Sequence, residues 1–123
     1  MLRKGGEPKP LIWRATSKAD FMAFPPAIQR EMGYALFLAQ MGGRHATMAK
    51  TLKGFGGAAV VEVKESHAGD AYRAVYTVRI SEAIYVLHAF QKKSKAGIKT
   101  APSDLKLVQR RLRDLIDEME KRR

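Results

Sequence analysis

From Tyr72 to Gln91 the chain alternates, and immediately afterwards it turns basic; this pairing constrains the fold more than any other feature. Tyr72, Ala74, Tyr76, Val78 and Ile80 fall on one side of a period of two, and Arg73, Val75, Thr77 and Arg79 on the other. That is the pattern of a strand whose two faces meet different surroundings. Ser81 and Glu82 read as a tight connection into a further strand over residues 83–91, apolar on both faces and so expected near the middle of a sheet. Lys92, Lys93, Lys95 and Lys99 then fall within eight positions, with no acid among them. A rigid strand that runs into a block of ammonium groups can aim them at polyphosphate.

The remaining pattern supplies helices on both sides of this meander. Residues 10–14 (PLIWR) suit a first strand. Ser17 is placed to cap a short helix through Phe24, its hydroxyl accepting an orphan amide of the first turn. Pro25 and Pro26 end that helix and open another, in which Ile28, Met32, Ala35, Leu36 and Ala39 recur at helical spacing until Gly42 and Gly43 stop it. Residues 44–57 read as a loop. Residues 59–65 read as a strand with Val61 and Val63 on one face and Glu62 and Lys64 on the other. A last helix is expected from Pro102 to Glu120, with Leu105, Val108, Leu112, Leu115 and Met119 along one stripe and Lys106, Arg110 and Arg113 outside. The order implies an α+β domain: an antiparallel-rich sheet, two N-terminal helices packed on one face, and a C-terminal helix. Lys64, Arg73 and Arg79 are expected on the other, polar face, where a substrate groove belongs.

At 123 residues the chain is read as a flexible tail over 1–9 and a single domain over 10–123. It has no cysteine, which excludes disulfides and thiolate-held zinc. No apolar run reaches the ~18 residues of a membrane span, and a cytoplasmic protein is expected. The net charge of +11 is uneven: residues 15–41 carry none of it, and residues 92–123 carry +6. Clustering of this kind is the footprint of a nucleic-acid partner, the plainer reading being a cationic surface. His45, His67 and His88 match no metal-ligand spacing, so neither a metal nor a cofactor is expected.

The segments IWRATSKADFMAFP, IQREMGYALFLAQMGG, KTLKGFGG, YRAVYTVR and, most distinctively, YVLHAFQKKSKAGIKTAPSDL cover roughly residues 11–115. Together they resemble the RelE/HigB-type toxins of bacterial toxin–antitoxin pairs, in particular the phage-derived branch. The resemblance implies a RelE-like fold and a growth-inhibiting endoribonuclease that cuts mRNA, usually on the ribosome. It implies metal-free chemistry, in which a ribose 2′-hydroxyl attacks the adjacent phosphate and leaves a cyclic phosphate. It also implies a helix-turn-helix antitoxin as partner.

In-line attack of that kind requires removal of the hydroxyl proton, stabilisation of charge on phosphorus and protonation of the leaving oxygen. Arg73 matches the strand arginine of the superfamily, and a guanidinium grips two phosphate oxygens at once; the alternative is a surface ion pair with Glu62 or Glu65. Lys92 and Lys93 match the basic pair after the last strand, as phosphate clamp or proton donor. Lys64 lies near a catalytic lysine of the relatives, whereas Glu62 stands at the companion position, as base or as partner of Lys64. Lys50, Lys53, Gln91, Lys95 and Lys99 are expected to contact RNA. His88 reads either as a hydrogen-bonded core histidine or as a general acid. A basic module that binds RNA or the ribosome without cutting is the competing reading.

Overall fold

The structure, a computed structural model, describes residues 6–92 and 100–122. Its elements in chain order are β1 (Leu11–Trp13), α1 (Ser17–Met22), α2 (Pro26–Gln40), β2 (Ala49–Thr51), β3 (Val60–His67), β4 (Asp70–Thr77), β5 (Ile84–Lys92) and α3 (Pro102–Lys121). The strands form one sheet in the order β1-β5-β4-β3-β2. Among the described residues only β1 and β5 run parallel, and the other neighbouring pairs are antiparallel. The expected α+β architecture is present. β5 lies inside the sheet, as its two apolar faces require.

Local chemistry explains most of the boundaries. The β3–β4 hairpin turns on Ala68 and Gly69, both at positive φ (51° and 87°). Such a two-residue loop matches the right-handed twist of the flanking strands. Pro26 opens α2, where a missing amide costs nothing. α2 stops in a Schellman arrangement: Gly42 sits at φ 89°, its amide bonds the Ala39 carbonyl at 3.0 Å, and the Gly43 amide bonds the Leu38 carbonyl at 2.8 Å. The Lys9 backbone exchanges bonds with Gln40, its amide donating to the Gln40 carbonyl and its carbonyl accepting from the Gln40 side chain, both at 2.8 Å.

Some expectations are revised. The Ser17 hydroxyl does not cap α1; it is fully buried and donates to the Val86 carbonyl at 3.1 Å, fastening α1 to β5. β2, hidden within the expected loop, is too short for periodicity to reveal and exists through its pairing with β3. The connection from β4 to β5 spans residues 78–83 rather than two positions. Ile80 there packs toward α3 while Val78 packs toward α2, so the period of two ends at Thr77.

The sheet carries two cores. Ile28, Met32 and Leu36 of α2 and Phe21 of α1 pack on Val61, Val63, Ala74, Tyr76 and Val86. On the opposite face Val108, Leu112 and Leu115 of α3 pack on Val60, Val75, Tyr85 and Leu87. The second sheet face is therefore not an open polar groove. Val60, Val75 and Leu87 give the apolar stripe of α3 the surface it needs, at about 1.5–3 kcal/mol for each large side chain taken out of water. No helix among the described residues is long and apolar enough to cross a membrane.

Candidate functional site

Register, rather than sequence proximity, assembles the cations. Lys50 stands opposite Glu62, Lys64 opposite Arg73, and Lys92 opposite Ala71. Directly paired residues share a face, with Cβ atoms about 4.5–5.5 Å apart. Lys50, Glu62, Lys64, Arg73 and Lys92 therefore all lie on the α3 side of the sheet. Lys50 is exposed, and Lys64 and Lys92 are half-buried.

Arg73 sits at the centre of this group and is fully buried. Its Nη1 donates to Glu62 Oε1 at 3.1 Å and to Thr100 Oγ1 at 2.9 Å. The Thr100 hydroxyl in turn donates to Glu62 Oε2 at 2.6 Å. A guanidinium, a carboxylate and a hydroxyl thus form a closed ring beneath the surface. The sequence placed Arg73 on an exposed face; the pairing with Glu62 is present, but at zero exposure for both side chains. Two opposite charges buried together tolerate this because each is hydrogen-bonded, whereas either one left alone is strongly destabilising.

A second polar cluster flanks the first and depends on a break in the sheet. The β4–β5 register shifts between Val75 and Tyr76: Val75 pairs with His88 and Tyr76 with Val86. Leu87 is the extra residue of a β-bulge, and such bulges redirect the side chains that follow. Strict alternation would put His88 with Ile84 and Val86, on the α1/α2 side. The bulge turns it under α3 instead, where Nε2 lies 2.9 Å from Asp104 Oδ1 and Nδ1 lies 3.5 Å from Arg111 Nη1. The ring stacks on Phe90 at 4.5 Å. Arg111 also donates to the Leu87 carbonyl at 2.8 Å and to the Thr16 hydroxyl at 3.3 Å. Burial pulls the Arg111 guanidinium below its ordinary value, an effect partly countered by Asp20. With both ring nitrogens engaged, His88 takes the role of a bonded core histidine, and it ties α3 to the bulge.

The other expected residues are dispersed. Gln91 faces the opposite side of the sheet, paired with Tyr72 in register, and its amide donates to Asp70 Oδ2 at 2.7 Å. Lys53 is exposed in the β2–β3 loop. His45 turns its Nδ1 inward to accept the Met48 amide at 3.0 Å. Lys93, Lys95 and Lys99 lie outside the described residues. Past Val86 no described strand pairs with the β1 side of β5. A cleft of about 360 Å³ there is lined by Asp20, Phe24, His88 and Gln91. Sequence reasoning missed Thr100, Asp104 and Arg111, because each acts through a contact with a strand far away in the chain.

The family model described as "Phage derived protein Gp49-like" matches residues 19–113. A solved structure of a mutant of the E. coli toxin RelE in the free state superposes with a TM-score of 0.53 at 15% identity, over 74% of this chain and 88% of that one. No curated protein matches the sequence.

Proposed function

Because the chain belongs to the Gp49-like family of phage-derived proteins and has the RelE fold, we propose that it is the toxin of a type II toxin–antitoxin pair. In this reading it is a metal-independent endoribonuclease that cleaves mRNA on the ribosome in the cytoplasm, and a helix-turn-helix antitoxin restrains it. RNA lies along the α3 side of the sheet, where Lys50, Lys64 and Lys92 meet its phosphates, with Lys93, Lys95 and Lys99 beyond them in the chain. Lys53 and Gln91 extend the contact from the periphery.

The observation that carries the reading is the Thr100 hydroxyl held between Arg73 and Glu62. It accepts from the guanidinium and donates to the carboxylate. A ribose 2′-hydroxyl in the same position makes the same two bonds, with Glu62 placed to take its proton and Arg73 to counter charge gathering on phosphorus. Lys64 and Lys92 or Lys93 then supply the phosphate clamp and the proton for the leaving oxygen. This sequence requires RNA to displace Thr100, since Arg73 has no exposure while Thr100 is in place. That burial is also the specific observation favouring the competing reading, a module that binds RNA or the ribosome without cutting.

Induction without antitoxin separates the two. Wild type should generate new mRNA 5′-hydroxyl ends, the counterpart of a cyclic phosphate on the upstream fragment. A folded Lys64→Ala/Lys93→Ala variant should generate few or none. Growth arrest by wild type with no new ends eliminates the nuclease reading and leaves the binding module.

A further inference from the structure

A cleft of about 450 Å³ opens on the α2 side of the sheet, the face away from the Lys64–Arg73 group. It lies between the end of α2, the β2–β3 loop and the end of β4. Arg44 and Arg79 line it from separate elements, joined by the side chains of Tyr76 and Thr51 and by Gly43 and Gly56. Among the described residues no carboxylate lines it. The Arg44 guanidinium is oriented by a 2.7 Å bond from Nη2 to the Thr51 hydroxyl. Tyr76 is 1% exposed, and burial raises its phenol above the ordinary value while the neighbouring Arg44 offsets part of that rise. Gly56, at φ 61°, belongs to the GFGG run, to which the nuclease reading gives no task.

Two cations without an acid between them repel each other, and a structure that brings them into one concave site has left room for an anion. Guanidinium forks, hydroxyl donors and a close-approaching glycine backbone are the groups that grip phosphate. We propose that the Arg44–Arg79 cleft is a second site, independent of the cleavage face, that binds a phosphate group carried by a free nucleotide or by an RNA backbone.

Amide chemical-shift mapping on the full chain tests this, with 5′-AMP and a single-stranded RNA 12-mer as probes. Shifts centred on Arg44, Gly56 and Arg79 with both probes support a site open to free nucleotides. Shifts there with the RNA alone support an RNA-backbone site. Absence of shifts there with both probes overturns the proposal. Arg44→Gln/Arg79→Gln should weaken binding at the cleft about tenfold, the scale of losing charged hydrogen bonds. It should also lower the slope of log K against log salt by about one, which a merely structural role would not do. Persistence of the cleft shifts in that variant also refutes the proposal. The wild-type map decides by itself if the variant does not fold. Lys64→Ala/Lys93→Ala should leave the cleft shifts intact, so failure of the nuclease reading and failure of this one are separate results.

Discussion

The two faces of the sheet are held by different physics. On the α2 side, Val61, Val63, Ala74 and Tyr76 meet Ile28, Met32 and Leu36 through contacts that have no direction. On the α3 side, the contact is divided between Val60, Val75, Leu87 and Leu115 and a polar set of Glu62, Arg73, His88, Asp104 and Arg111. The apolar face stabilises by area and tolerates repacking. The polar face requires every partner in place, and the loss of one leaves a desolvated charge behind. A protein that only needed to stay folded would gain little from such a face. The ring lies beside the lysine row, where the proposed function has a ribose hydroxyl take the place of Thr100.

This contrast is open to direct attack. Arg73→Ala should cost about 3–5 kcal/mol, since Glu62 is left charged and buried, whereas joint replacement of Glu62 and Arg73 by apolar residues of similar volume should be far milder. Urea titration of both variants measures this. If the single variant proves no worse than the double, the ring is not closed. On the other face Met32→Ala should cost about 2–5 kcal/mol through the cavity it leaves, and a larger apolar residue facing that cavity should recover part of the loss. Asp104→Asn, which removes the charge facing His88, should cost about 1.5–3 kcal/mol and speed hydrogen exchange along α3 before it affects α2.

The apolar face was legible in the sequence because both signals that define it are local. A period of two in Tyr72, Ala74 and Tyr76 and a helical period in Ile28, Met32 and Leu36 are each visible within a dozen residues, and the proline and glycine punctuation around α2 agrees with them. The α+β class followed. The polar face was legible only as a list of residue types. That Glu62 and Arg73 would pair was readable as one option from the two strands. That the pair would be sealed depends on Thr100 and α3, which meet them only in three dimensions. The bulge at Leu87 is harder still to foresee. In a run as uniformly apolar as YVLHAF, one inserted residue leaves no mark in composition, yet it decides which face receives His88. β2 has the same origin: with three residues, its existence rests on β3.

The exposed end of α3 should contribute far less than the buried ring, because water screens its ion pairs. Glu118 of α3 accepts from Arg14 Nη2 at 2.8 Å, beyond the end of β1, and also from Arg122 at 3.2 Å. The bond from Arg14 holds the Glu118 carboxyl below its ordinary value of 4.5. A depressed carboxylate contributes stability that is complete above the unfolded value and disappears as pH falls through the folded one. The melting temperature of wild type should therefore drop slightly more than that of Glu118→Gln between about pH 6 and about pH 3. Because this pair is open to water, added salt should erase the difference, since exposed ion pairs are screened. The Arg73–Glu62 contribution, sealed from counterions, should survive the same salt. A salt response of equal size at both sites would mean that water reaches the ring, and the distinction between the faces would be lost.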